Sequence, residues 1–253
     1  MWRLVVTIAL QAGLSAVCAA QSLHLAPVGT VVSGSFELAG KPIPLPAGEF
    51  VLAATRIEEG RIVQGNIGAA RPQLVSVFLA LLDGQRLKGA LWASTVLEAP
   101  AARANWVQTR EPCARDNLLF RLDLAQDTSR GEYAHQNCLV VERRARSLGA
   151  ASTGIMQDAA AWLAYHDVAL PVPVLIVAEI TRIERRELLR AAYAFNPWSY
   201  GCNRPSPPFV ESIARWGKEM QRHFDDVVMG RSTDVTRYWS AIHQCASALA
   251  STP

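Results

Sequence analysis

Lysine is scarce in this chain. Of its 25 lysine and arginine residues only Lys41, Lys88 and Lys218 are lysines, and against 22 carboxylates they leave a formal net charge of +3. So small an excess gives no support to nucleic acid or an acidic membrane as a partner. The marks of familiar chemistries are missing too. A P-loop needs four residues between its glycine and its Gly-Lys pair, whereas five separate Gly34 from Gly40-Lys41, and Pro42 follows. No G-x-G-x-x-G follows a strand-like run, no G-x-S-x-G nucleophile turn occurs, and H-E-x-x-H is absent. The histidines stand apart at positions 24, 135, 166, 223 and 243, and no two cysteines have C-x-x-C spacing. Nucleotide, dinucleotide, hydrolase-elbow and zinc-protease chemistries are thus unsupported, and no cofactor is expected.

Long apolar runs are missing except at the start. Met1-Trp2-Arg3 is a short basic segment, Leu4 to Val17 is mostly apolar, and Cys18-Ala19-Ala20 supplies small residues before Gln21. That order reads as a secretory signal, residues 1–20, cleaved between Ala20 and Gln21. The apolar run is shorter and more interrupted than the roughly 20 residues of a bilayer span, although an uncleaved anchor is the alternative. Val17 before Cys18 argues against a lipoprotein site. No later segment reads as a membrane span. Removing 20 of 253 residues leaves 233, one domain's worth of core, and the loss of Arg3 lowers the net charge from +3 to +2.

Four cysteines then remain, Cys113, Cys138, Cys202 and Cys245. An even number in an oxidising compartment implies disulfides, with three possible connectivities. Cys138 opens one strand-like run and Cys113 lies just before its neighbour, which favours Cys113–Cys138 and hence Cys202–Cys245.

The patterning predicts an α+β domain over 21–253, β-rich from 30 to 143 and mixed from 150 to 253. Val31–Leu38, Phe50–Ile57, Arg61–Ile67, Leu74–Leu82 and Arg86–Val96 read as a meander of strands, with a hairpin signal at Asp83-Gly84. Asn117–Leu124 and Cys138–Arg143 read as two more strands. Thr153 caps a helix reaching His166. Val174–Ile183 and Glu187–Phe195 form a hairpin turning at Glu184–Arg186, with a helix over Arg185–Ala194 as the competitor. Ser206 and Pro207 open a helix closed by Gly230. A second helix from Ser232 or Thr233, carrying Val235, Tyr238, Trp239, Ile242, Cys245 and Leu249, would complete a C-terminal antiparallel helical hairpin.

Two phrases carry a resemblance: Phe195-Asn196-Pro197 with Gly201 and the later Trp216-Gly217, and Leu45-Pro46-Ala47-Gly48-Glu49-Phe50. They resemble a pattern in exported proteobacterial proteins of unknown function, which implies an exported location and no activity.

Candidate sites are few. His223 with Asp225 and Asp226 offers metal-type ligands, but neighbouring helical positions point apart, so a solvated helix end is expected. Asp123, Asp127, Glu132 and His135 surround one hairpin loop where acid–base chemistry is conceivable. Asn196, Trp198 and Tyr200 set two aromatics in a turn-forming loop suited to a sugar ring or a protein partner, unless they simply plug a junction. Arg143-Arg144-Arg146 and Arg182-Arg185-Arg186-Arg190, interleaved with glutamates, read as solvated strand ends. The functional expectation is a non-catalytic periplasmic or envelope protein binding a ligand or envelope partner. The alternative is a hydrolase-like enzyme with its site near Asp127–His135.

Overall fold

A computed structural model of the chain describes residues 22–59, 62–63, 72–97, 105–106, 112–126, 135–144, 153–169, 174–231 and 241–245. The expected signal segment lies outside these residues. In chain order the strands are β1 (Val31–Val32), β2 (Ser35–Leu38), β3 (Lys41–Pro44), β4 (Phe50–Glu59), β5 (Ile62–Val63), β6 (Gln73–Asp83), β7 (Arg86–Val96), β8 (Asn105–Trp106), β9 (Phe120–Gln126), β10 (His135–Arg144), β11 (Leu175–Glu184) and β12 (Glu187–Phe195). The two α-helices among the described residues are α1 (Ile155–Tyr165) and α2 (Pro207–Val228).

Eight strands form one antiparallel sheet in the order β1-β4-β6-β7-β12-β11-β10-β9, while β2-β3 and β5-β8 are separate pairs. This corrects the expected class, which is largely β rather than α+β. The decisive contact is β7 with β12, where Leu91 pairs with Tyr193. It joins the N-terminal strands to the later hairpin in a single sheet, and no local periodicity encodes so distant a pairing. The stretch read as one strand from Val31 to Leu38 is broken by Gly34, whose φ of +75° only glycine adopts readily. Asp83 pairs with Arg86, so Gly84 and Gln85 make the hairpin corner. Glu184 pairs with Glu187 about the corner Arg185-Arg186, and the competing helix does not form.

The predicted C-terminal helical hairpin is also corrected. Residues 241–245 are not helical. Their backbone donors go elsewhere: the Cys245 N–H to the Tyr200 carbonyl at 2.9 Å and the His243 N–H to Ser212 Oγ at 3.0 Å. The Cys202–Cys245 bridge holds this arm against the loop after β12. Residues 232–240 and 246–253, the rest of that expected helix, lie outside the described residues.

Because strand side chains alternate, the register sorts the sheet into two faces. One row, Leu52–Leu79–Leu91–Tyr193–Ala178–Val141, faces α2. There Phe209, Ile213, Trp216, Met220 and Phe224 are buried at helical spacing. Trp216 meets Tyr193 edge-on at 4.5 Å. Gly217 lets the helix lie close, since a Cβ there would come within 2.9 Å of Leu139 Cδ1. The β2-β3 hairpin extends this core, and the Tyr193 hydroxyl donates to the Pro44 carbonyl at 3.0 Å.

The opposite face is covered at its two ends. Ile155, Ala159 and Leu163 of α1 pack on Ala53, Ala54, Phe78 and Ala80, and the helix begins at Gly154 with no side-chain cap from Thr153. At the other end the bridge Cys113–Cys138 fastens the segment Pro112–Ala114 over β10. Between these covers lies the middle of the sheet. No helix among the described residues is long and apolar enough to cross a membrane.

Candidate functional site

On this second face the register sets Ala54, Phe78, Trp92, Ala192, Glu179, Val140 and Arg121 in one row. Glu179 follows the apolar run Leu175–Ala178 of β11, and its side chain is fully buried. Three guanidinium groups meet it. Arg115 donates from Nη1 to Oε2 at 2.8 Å and from Nη2 to Oε1 at 3.0 Å. Arg190 donates from Nε to Oε1 at 2.8 Å and also from Nη2, and Arg144 donates from Nη2 to Oε2. Glu142 Oε1 in turn accepts from Arg115 at 3.0 Å and Arg144 at 2.6 Å.

Burial alone would raise the pKa of Glu179, but Arg190, Arg115 and Arg144 outweigh it and hold the carboxyl far below the usual range. With both glutamates ionised, three cations against two anions leave this cluster one positive charge in excess. The expectation of solvated arginines is therefore corrected for Arg144 and Arg190. Strand alternation turns both onto the face that carries Glu179. Arg144 and Arg190 are half-buried there, whereas Arg182 is buried on the other face, where it donates to Asp225 at 2.7 Å near the end of α2. That placement sets a cation by a helix C-terminus.

Beside the cluster is a cavity of about 330 Å³. Its lining includes Phe78, Ala90, Trp92, Val177, Ala192 and Ala194 from the sheet, with Leu175 at the β11 end. Ile155 and Met156 of α1 wall one side, where Thr153 and Glu58 supply polar groups, and Arg144 supplies the charge on the other. The Arg190 guanidinium lies 4.8 Å from the centre of the Trp92 ring, a cation–π contact that fixes the indole. Trp92 Nε1 is buried without a hydrogen-bond partner among the described residues, as are Thr181 Oγ1 and the amide of Gln136.

The aromatic loop after β12 divides its side chains between the core and solvent. Asn196 spends its side chain on the loop itself, donating to the Leu87 carbonyl and to Ser199 Oγ at 3.1 Å each and accepting from the Trp198 N–H. Tyr200 is buried against Phe209 at 5.4 Å and Phe195 at 6.2 Å, and burial pushes its hydroxyl pKa up to about 12. Trp198 alone is exposed, at 59 %, and its Nε1 donates to the Asn203 carbonyl. The junction-plug alternative thus describes Tyr200, and the loop offers one aromatic rather than two.

Residues 127–134, with Asp127 and Glu132, lie outside the described residues. His135 Nδ1 is 2.8 Å from Glu184 Oε1, and Asp123 sits exposed on β9 opposite Cys138. No group of three metal-ligating side chains occurs among the described residues. Asp225 and Asp226 pair with Arg231. His223 is not at a solvated helix end as expected but fully buried, with Nε2 donating to the Pro42 carbonyl at 3.0 Å. Burial lowers its pKa, against the smaller pull of that carbonyl and of Asp226. A free histidine titrates near ~6.5, so stability from this site is complete above that pH and is lost as pH falls through it toward the lower folded value. An NMR titration should find the His223 ring neutral at pH 6.5, and a midpoint at or above 6.5 would contradict this.

Glu179, Arg115 and Trp92 were not singled out in the sequence. One signal was present: Glu179 interrupts the run Val174–Ile183 at a position sharing a face with Val177 and Thr181. A largely β scaffold with an arginine-bound carboxylate and a part-apolar cavity on its second sheet face is the class these features define. Comparison with known proteins adds no name to it, since no family, no curated protein and no solved structure matches the chain.

Proposed function

We propose that this is an exported, non-catalytic binding module of the cell envelope whose site is the cavity between α1 and Arg144. The observation that carries the reading is the cavity itself. Its walls are mainly apolar, and the Arg144 guanidinium stands at a fixed place in it, the usual composition of a small-molecule site. Export is supported by the leading twenty residues and by the two bridges, Cys113–Cys138 and Cys202–Cys245. The arginines around Glu179 favour binding over catalysis, because they hold the carboxylate ionised and occupied, unfit as a general acid.

A neutral fluorophore tests the site without presupposing the ligand's charge. N-phenyl-1-naphthylamine should bind the purified protein saturably, at one site. Ala194→Phe, which fills the cavity, should abolish that binding, while Trp198→Ala should leave it intact. Loss of binding in Trp198→Ala with retention in Ala194→Phe would move the site to the aromatic loop.

A further inference from the structure

We infer that the ligand of this cavity is an amphipathic anion, an apolar chain or ring bearing one carboxylate-type head, and that Arg144 receives the head. The inference rests on the binding reading above and adds the chemical class. Three arginines and two glutamates leave one uncompensated positive charge in a partly desolvated cluster, and a single negative charge completes it.

Arg144 is the member of that cluster that lines the cavity. Its Nε is taken by Glu142 and one N–H of Nη2 by Glu179. Both N–H groups of Nη1 have no partner among the described residues, and a guanidinium edge of this kind selects carboxylate oxygens. The two N–H groups of Nη1 call for an acceptor-rich head. The apolar lining from Phe78 to Ala194 and the side chains of Ile155 and Met156 call for an apolar body. A ligand with several negative charges fits less well, because Glu58 lines the opposite side and only one positive charge is in excess.

Displacement of bound N-phenyl-1-naphthylamine by decanoate, decanol and decylammonium tests this at neutral pH. Decanoate should displace the dye at concentrations at least about tenfold below decanol, as one charged hydrogen-bonded contact implies. Decylammonium should be the weakest. Arg144→Gln should bring decanoate close to decanol. Equal displacement by decanoate and decanol in the unaltered protein overturns the inference while leaving the binding reading in place. A decanoate preference that survives Arg144→Gln overturns the assignment to Arg144. Failure of the dye to bind at all removes both.

Discussion

Glu179→Ala should destabilise the protein by about 3–5 kcal/mol at neutral pH, the cost of removing one partner from a buried ionic cluster. The carboxylate accepts from five guanidinium nitrogens. Without it, Arg115 and Arg144 keep only Glu142 and Arg190 loses its carboxylate partner, so like charges lie side by side on a part-buried face. Glu179→Gln keeps the volume and one acceptor but removes the charge, and should cost nearly as much. The effect depends on pH in a definite direction. The unfolded carboxyl titrates near ~4.3, while in the folded protein it is held far lower. Its contribution is therefore fully present above that unfolded value and is lost as pH falls below it toward the folded pKa. Urea unfolding at pH 7 and at pH 3 should show the gap between the unaltered protein and Glu179→Gln shrinking in acid. A gap below about 1 kcal/mol at pH 7 would mean that the cluster behaves as a surface ion pair.

Replacing both Cys202 and Cys245 by serine should cost about 4 kcal/mol in the chain-entropy account, since the bridge spans 43 residues of sequence. Release of the bridge also frees residues 241–245 from the Tyr200 carbonyl and Ser212. The companion variant Cys113→Ser/Cys138→Ser opens a shorter loop, with a separation of 25, and should cost somewhat less, about 3.5 kcal/mol. The two pairs differ in a second respect. Cys113 lies two residues before Arg115, so its bridge steadies a ligand of Glu179, whereas Cys202 lies in the aromatic loop, away from the cavity. Ligand binding should weaken in the Cys113/Cys138 variant and persist in the Cys202/Cys245 variant at temperatures where each is folded. The reverse order would assign the site to the loop that holds Trp198.

Local signals in the sequence reached most elements and little of their assembly. Hairpins with a short corner, such as β6-β7 and β11-β12, announce themselves because two apolar runs flank a turn. The long amphipathic α2 does so by its stripe from Phe209 to Phe224. The failures share a cause. The pairing of β7 with β12, which makes the sheet one unit and the class largely β, is a contact across about a hundred residues that alternation cannot express. The stripe from Val235 to Leu249 satisfies helical spacing, yet a disulfide and two backbone hydrogen bonds hold 241–245 in another conformation, and tertiary partners override propensity. Arginines alternating with glutamates looked like solvated charge because sequence shows neighbours, not faces. Only the register reveals that Arg144, Arg190 and Glu179 point the same way. The cavity was illegible for the same reason, as its lining comes from six strands and one helix.

On the proposal made above, the sheet face beside Arg144, not the aromatic loop, holds an amphipathic anion. A crystal structure of the protein with 10-bromodecanoate, read at the bromine absorption edge, tests it most directly. The expected result is an anomalous peak among Phe78, Ala192 and Ile155, with the carboxylate within hydrogen-bond distance of the Arg144 guanidinium. A bromine peak beside Trp198, or a chain lying in the cavity with its carboxylate turned toward Glu58, would contradict it.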